Sequence, residues 1–176
     1  MRGGFTSPKH LIVGAWNVRG CSGSEENKGV IGDVFDERGL DVLALGETKI
    51  KGRGEVNFGK VRGWVSGVER GHGREGVALL LSDRVIGCVM ERREVSSRIM
   101  RVKMNLAGEV WVIVSVYGPG SEKSVEERET FWGQLNDCVE ALEGQGKVVV
   151  LGDLNARVGN ISIEGVIGNF GVDGVN

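Results

Sequence analysis

The chain has 176 residues, 40% of them hydrophobic and 26% charged, a mixture that suits one globular domain and excludes a disordered chain. A formal net charge of −2 excludes a nucleic-acid binder working by bulk charge, while leaving room for a local basic patch or a metal's charge. No apolar run reaches the roughly 20 residues of a membrane-spanning helix, and the odd set Cys21, Cys88 and Cys138, without CxxC spacing, reads as reduced thiols of an intracellular protein rather than a zinc site.

The first ordered segment is "LIVGAWNV" (11–18), apolar on both faces as an interior strand is. It follows Arg2 and Lys9, but Asn17 and Arg19 interrupt it and no small-residue cleavage site follows, so it is a strand and not a signal sequence. Ser22 with Glu25 resembles a capping box, Val30, Ile31, Val34 and Phe35 form one helical stripe, and Gly39 ends the helix. "LDVLALGET" (40–48) is a second buried strand running into Glu47. Residues 52–76 are expected to be Gly-rich turns, and "GVALLLS" (76–82) a third buried strand. In residues 85–95 and 98–105, Arg101 and Lys103 alternate with Val102 and Met104, the pattern of strands with one wet face. "EVWVIVSVY" (109–117) follows a turn at Ala107-Gly108. A long helix covers about Ser124 to Leu142, with Ser124 and Glu127 as a capping box and Phe131, Leu135, Cys138 and Leu142 on one face. "VVVL" (148–151) is the last buried strand, and the tail from Asn160 is Gly-rich and patternless. Helices alternate with strands near the ends and a meander of strands fills the middle, so packed sheets with helices outside are expected rather than a doubly wound sheet.

Polar residues recur where the apolar strands end. Asn17 closes the first, Glu47 sits just past the second, Tyr117 closes another, and the last runs into Gly152-Asp153-Leu154-Asn155. In an extended "VLGDLN", Asp153 and Asn155 share a face and Leu154 points into the core. Gly152 lets something approach the backbone. Ligands of α/β sheets gather outside the carboxyl ends of strands. Carboxylates with amide oxygens are hard ligands suited to Mg²⁺ or Mn²⁺, which bind through one or two carboxylates and keep several waters.

These residues carry a resemblance. "WNVRG" (16–20), "LALGETK" (43–49), "GVALLLS" (76–82), "VSVYGP" (114–119) and "LGDLNARVG" (151–159) occur in the order and approximate spacing of the endonuclease/exonuclease/phosphatase superfamily. Within it the chain resembles the endonuclease domains of non-LTR retrotransposons and the craniofacial development protein 2-like proteins. The resemblance implies a single domain over 1–176 with a four-layer α/β sandwich: two packed, mostly antiparallel sheets flanked by helices. It also implies an Mg²⁺- or Mn²⁺-dependent site for cleaving DNA, with nuclear localisation possible for such a protein and no membrane partner. Position by position, Glu47 matches the metal-binding glutamate and Asn17 the asparagine that supports the metal and phosphate. Asp153 matches the aspartate that orients the attacking water, and Asn155 the asparagine that holds the phosphate. Tyr117 matches the tyrosine beside the scissile phosphate, and Arg98 an arginine that contacts phosphate. The family's C-terminal motifs, a further Asp and a Ser-Asp-His, find no match; His10 and His72, the chain's two histidines, do not align with the family histidine. A copy lacking the C-terminal strands, with weak or no activity, is therefore expected. A phosphomonoesterase or lipid-headgroup phosphatase shares the same motifs, and a non-catalytic remnant of a retroelement is the third reading.

Overall fold

The computed structural model describes residues 8, 10–71, 74–157, 162 and 164. His72 and the tail read as patternless therefore lie outside the described residues, apart from Ser162 and Glu164.

The elements run β1 (Val13–Asn17), α1 (Glu25–Glu37), β2 (Val42–Gly46), β3 (Arg53–Phe58), β4 (Val61–Ser66), β5 (Val77–Leu81), β6 (Val89–Ser96), β7 (Ile99–Leu106), β8 (Glu109–Tyr117), α2 (Val125–Glu140) and β9 (Lys147–Asp153), with a short 3-10 turn at Ile86–Cys88 before β6. They build a five-stranded sheet ordered β1-β2-β5-β4-β3 and a four-stranded sheet ordered β6-β7-β8-β9. Within them β1–β2 and β8–β9 are the parallel pairs; the others are antiparallel.

Apolar burial fixes the layers. Val42, Ala44, Leu79 and Leu81 of the first sheet meet Met100, Val102, Met104 and Ile113 of the second in one core between the sheets. On the outer face of the first sheet, Ile31 and Phe35 of α1 pack on Leu43, Leu45, Phe58 and Leu80. On the outer face of the second, Phe131, Leu135 and Cys138 of α2, with Leu142 beyond it, pack on Ile99, Val112, Val114 and Val116. Helix, sheet, sheet, helix is the four-layer α/β sandwich expected from the sequence. β2 and β5 are buried along their whole length, each covered on both faces. Two buried hydroxyls pin the sheets together: Ser115 donates to the carbonyl of Ala78 (3.2 Å) and Ser66 to that of Ser96 (2.8 Å).

Both helices begin on a serine. Ser24, not Ser22, caps α1 by accepting from the Asn27 N–H (3.1 Å), and Gly39 ends that helix at φ +59°. Ser124 caps α2 through the Glu127 N–H (3.1 Å).

Three local readings are corrected. Residues 52–76 contain the hairpin β3–β4, in which Val56 and Phe58 face inward while Arg53, Glu55 and Asn57 face solvent. Its glycines concealed that alternation. Gly63 lies within β4, and the position takes glycine because a Cβ there would lie 2.8 Å from the Phe58 ring. β1 is not an interior strand: among the described residues it is the edge of its sheet, with Val13 and Trp16 exposed. Arg101 is not on a wet face; it is 7% exposed and paired with Glu91 at 3.1 Å. Among the described residues no helix is long and apolar enough to cross a membrane, and Cys21, Cys88 and Cys138 are buried thiols outside any disulfide.

Gly152 in β9 sits at φ +141°, and a Cβ there would fall 1.9 Å from the Val116 carbonyl oxygen. The close approach anticipated at this glycine is made by the neighbouring strand. In α2, by contrast, a Cβ on Gly133 would meet nothing within 4 Å. Gly152→Ala is expected to lower stability by roughly 1–3 kcal/mol, whereas Gly133→Ala raises it by about 0.5–1 kcal/mol. Urea denaturation of the two variants checks both signs.

Candidate active site

The two parallel pairs bring four strand ends together. Asn17, the last residue of β1, lies opposite Gly46, the last of β2, and Glu47 follows at once. Tyr117, the last residue of β8, lies opposite Asp153, the last of β9. The pairs belong to different sheets, and the Asn17 side chain joins them by donating from Nδ2 to Asp153 Oδ2 at 3.0 Å. The strand-end residues singled out from sequence thus lie together, and the topology supplies the reason they meet.

The backbone bends sharply around this cluster. Arg19, Glu47, Lys49 and Asn155 have φ between +49° and +57°; Ala107 is the other described non-glycine residue there. Such conformations cost of order 1–3 kcal/mol each and gather at functional sites. At Glu47 the bend turns the side chain out of the strand direction, where its Oε1 meets Lys49 Nζ at 3.1 Å. Lys49 also donates to the carbonyl of Arg19 (2.8 Å), tying the two bent loops together. At Asn155 the bend closes a small turn: its N–H donates to Asp153 Oδ1 (2.9 Å) and its Nδ2 to the carbonyl of Gly118 (2.7 Å). The strand thus ends at Asp153, so Leu154 is not the core anchor an extended reading suggests; it is 37% exposed.

Both carboxylate oxygens of Asp153 accept hydrogen bonds, so the group is held in one orientation. Tyr117 is held differently. Its ring rests over Gly46, where a Cβ would lie 3.3 Å from Cδ2. Burial, then the negative charge of Glu47 and a hydrogen bond to it, push the phenol up to about 12, against the opposing pull of Arg98. At neutral pH the hydroxyl keeps its proton.

Arg98 lies in the turn between β6 and β7 and is 7% exposed. Its Nη2 donates to Glu75 Oε2 (2.8 Å) and Glu127 Oε1 (2.9 Å), its Nη1 to the carbonyl of Tyr117 (3.3 Å), and its guanidinium lies 5.5 Å from the Tyr117 ring centre. Glu75 and Glu127 were not singled out as site residues from sequence. Glu127 read as half of a capping box, yet its carboxylate goes to Arg98 and Lys123, which hold it below its ordinary range despite the opposing effect of burial. A cleft of about 490 Å³ opens beside Glu47 and Tyr117, with Arg74, Glu75, Arg98, Glu122 and Lys123 on its walls. His10 borders a different hollow, with Trp111 near the start of β8, at the opposite end of that strand from Tyr117.

The donor set fits a hard divalent ion and not a closed metal cage. Among the described residues no group of three or more His, Cys, Asp or Glu is close enough to enclose a metal. Glu47, with the oxygens of Asn17 and Asp153 nearby, offers the one or two carboxylates that an ion retaining its waters uses. Glu47 already faces a cation, Lys49, so positive charge is stabilised at this point.

Residues 14–169 match the model of the Endonuclease/Exonuclease/phosphatase family. The chain belongs to this family. Craniofacial development protein 2 of Tragulus javanicus is 29% identical over 169 residues, covering 93% of the chain and 28% of that protein. The chain thus spans less than a third of its curated relative. The crystal structure of TDP2 from C. elegans superposes with a TM-score of 0.61 at 17% identity, over 87% of this chain and 50% of that one. The endonuclease domain of TRAS1, a telomere-specific non-LTR retrotransposon, does so with 0.59 at 18% identity, over 82% and 60%. These likenesses confirm the family fold, two sheets with few helices.

The raised Tyr117 value carries a sign. Because the folded-state pKa lies above the ordinary 10.0, the group's contribution to stability is complete below pH 10 and is lost as pH rises towards 12. In this family member, stability measured by urea denaturation should fall between those pH values. Tyr117→Phe should flatten that part of the profile.

Proposed function

We propose that this site hydrolyses phosphodiesters with Mg²⁺ or Mn²⁺ and that its substrate is DNA, as in endonucleases of the non-LTR retrotransposon type. The observation that carries the reading is the juncture of Asn17, Glu47, Tyr117 and Asp153 at neighbouring strand ends of both sheets. Two carboxylates, an amide and a protonated phenol there suit an anionic phosphate that needs charge neutralised and a water oriented. Membership of a family of endonucleases, exonucleases and phosphatases supports hydrolysis at phosphorus. The TRAS1 likeness supports the finer choice of DNA.

Glu47 and Asn17 would hold the ion, which when bound supplies positive charge to the phosphate. Asp153 is the residue to orient the attacking water and take its proton. Its Oδ1 and Oδ2, fixed by Asn155 and Asn17, present remaining lone pairs in a set direction. The Tyr117 hydroxyl, protonated at neutral pH, is a donor for a phosphate oxygen. Asn155 has one Nδ2 proton on Gly118 and a second to offer.

Calorimetric titration with Mn²⁺ tests the metal assignment without requiring turnover. Glu47→Gln should weaken binding at least tenfold, and equal affinity in the two proteins refutes the assignment. Relaxation of supercoiled plasmid in Mg²⁺, run beside hydrolysis of a phosphomonoester, tests the substrate. Asp153→Ala should reduce nicking about 10²–10⁴-fold, the range of a positioned proton-transfer group. Hydrolysis of the monoester alone would replace DNA by a phosphatase substrate.

A further inference from the structure

We propose that Arg98 is a positioning residue whose buried guanidinium fixes the Tyr117 ring, and that it does not serve as a phosphate ligand. The inference rests on the reading that Tyr117 faces the scissile phosphate, and it assigns the device that keeps Tyr117 there.

The argument begins with what Arg98 touches. A guanidinium offers its N–H groups in a rigid planar fork. Here Nη2 is taken by Glu75 and Glu127 at 2.8 and 2.9 Å, charge-assisted bonds, and Nη1 reaches the Tyr117 carbonyl at 3.3 Å. The guanidinium carbon lies over the phenol ring at cation–π distance, 5.5 Å from its centre. A phosphate reaching Nη2 would have to displace a carboxylate, leaving that anion without its partner.

The carboxylates come from separate parts of the fold. Glu75 precedes β5 of the first sheet, and its Oε1 accepts from Ser97 (2.8 Å) beside Arg98. Glu127 lies in the first turn of α2 and also pairs with Lys123 at 3.4 Å. Arg98 itself joins β6 to β7. One guanidinium therefore ties the first sheet, the second sheet and α2 around a single aromatic ring. Removing one partner of a covered ion pair is costly because it strands the other charge, so the ring's setting depends on all three groups.

The chain contains a single tyrosine, which makes the test direct. With ring-¹³C tyrosine the NMR spectrum reports Tyr117 alone, in the whole protein and without substrate or metal. Arg98→Lys keeps the charge but loses the fork, and Glu127→Gln keeps Arg98 but weakens its hold at the more exposed carboxylate. Both should shift and broaden the Tyr117 ring resonances while the methyl signals of Leu79 and Ile113 hold their positions. Where Arg98→Lys fails to fold, Glu127→Gln decides. Ring resonances that keep position and linewidth in a folded Glu127→Gln protein overturn the proposal. So does a titration with inorganic phosphate whose binding is lost in Arg98→Lys while the ring stays unmoved. Because the readout needs no turnover, the two failures are distinguishable: absence of both nicking and monoester hydrolysis refutes the hydrolase reading, whereas unmoved ring resonances refute the hold of Arg98 on Tyr117.

Discussion

One hydrogen bond between the sheets organises the site. Asn17 ends a strand of the first sheet, Asp153 a strand of the second, and they meet at 3.0 Å. Each strand is the edge of its sheet among the described residues, so the contact rests on how the sandwich is closed and not on backbone pairing between them. Closure is set by the apolar core between β2–β5 and β7–β8 and by the buried Ser115 and Ser66 bonds that cross it. A shift of one sheet on the other would break those bonds and separate Asn17 from Asp153. Packing far from the strand ends thus reaches the chemistry through the relative position of two sheets.

The electrostatics follow from that closure. Glu47, Tyr117 and Asp153 are brought near one another, and burial together with the neighbouring negative charge, that of Glu47 first, raises the phenol, which keeps its proton. Both oxygens of Asp153 accept hydrogen bonds, from Asn17 and Asn155. Glu47 is balanced by Lys49. Two carboxyl groups and a protonated phenol therefore sit together, each with its own immediate partners.

Much of this was legible in the sequence because it depends on local pattern. Apolar runs mark β2, β5 and β8, the stripe Phe131, Leu135, Cys138 marks α2, and polar residues at strand ends mark the site. What escaped depends on distant partners. Glu75 and Glu127 carry no local sign of meeting Arg98, since that contact joins segments from both sheets and a helix. Glu127 even had a sufficient local explanation, as part of a cap. Arg101 looked like an exposed strand residue because alternation cannot tell that its guanidinium pairs with Glu91 of the neighbouring strand. The β3–β4 hairpin was hidden by its glycines, among them Gly63, where a Cβ would meet the Phe58 ring. Leu154 was misplaced because a period of two was carried one residue past the bend that ends the strand.

The same web of partners bears on how the site would draw an anion. Lys49 is tied to Glu47, Lys123 to Glu127, and Arg98 to both Glu75 and Glu127. Each of these cations near Tyr117 thus has its field largely cancelled within a few ångströms, and the chain as a whole carries −2. A phosphodiester approaching along the cleft meets a balanced surface rather than a basic one. In the hydrolysis proposed for this site, the compensating charge would fall to the divalent ion that Glu47 would hold. The side-chain cations hold Glu47, Glu127 and Tyr117 in place, which under that proposal would leave the phosphate to the ion.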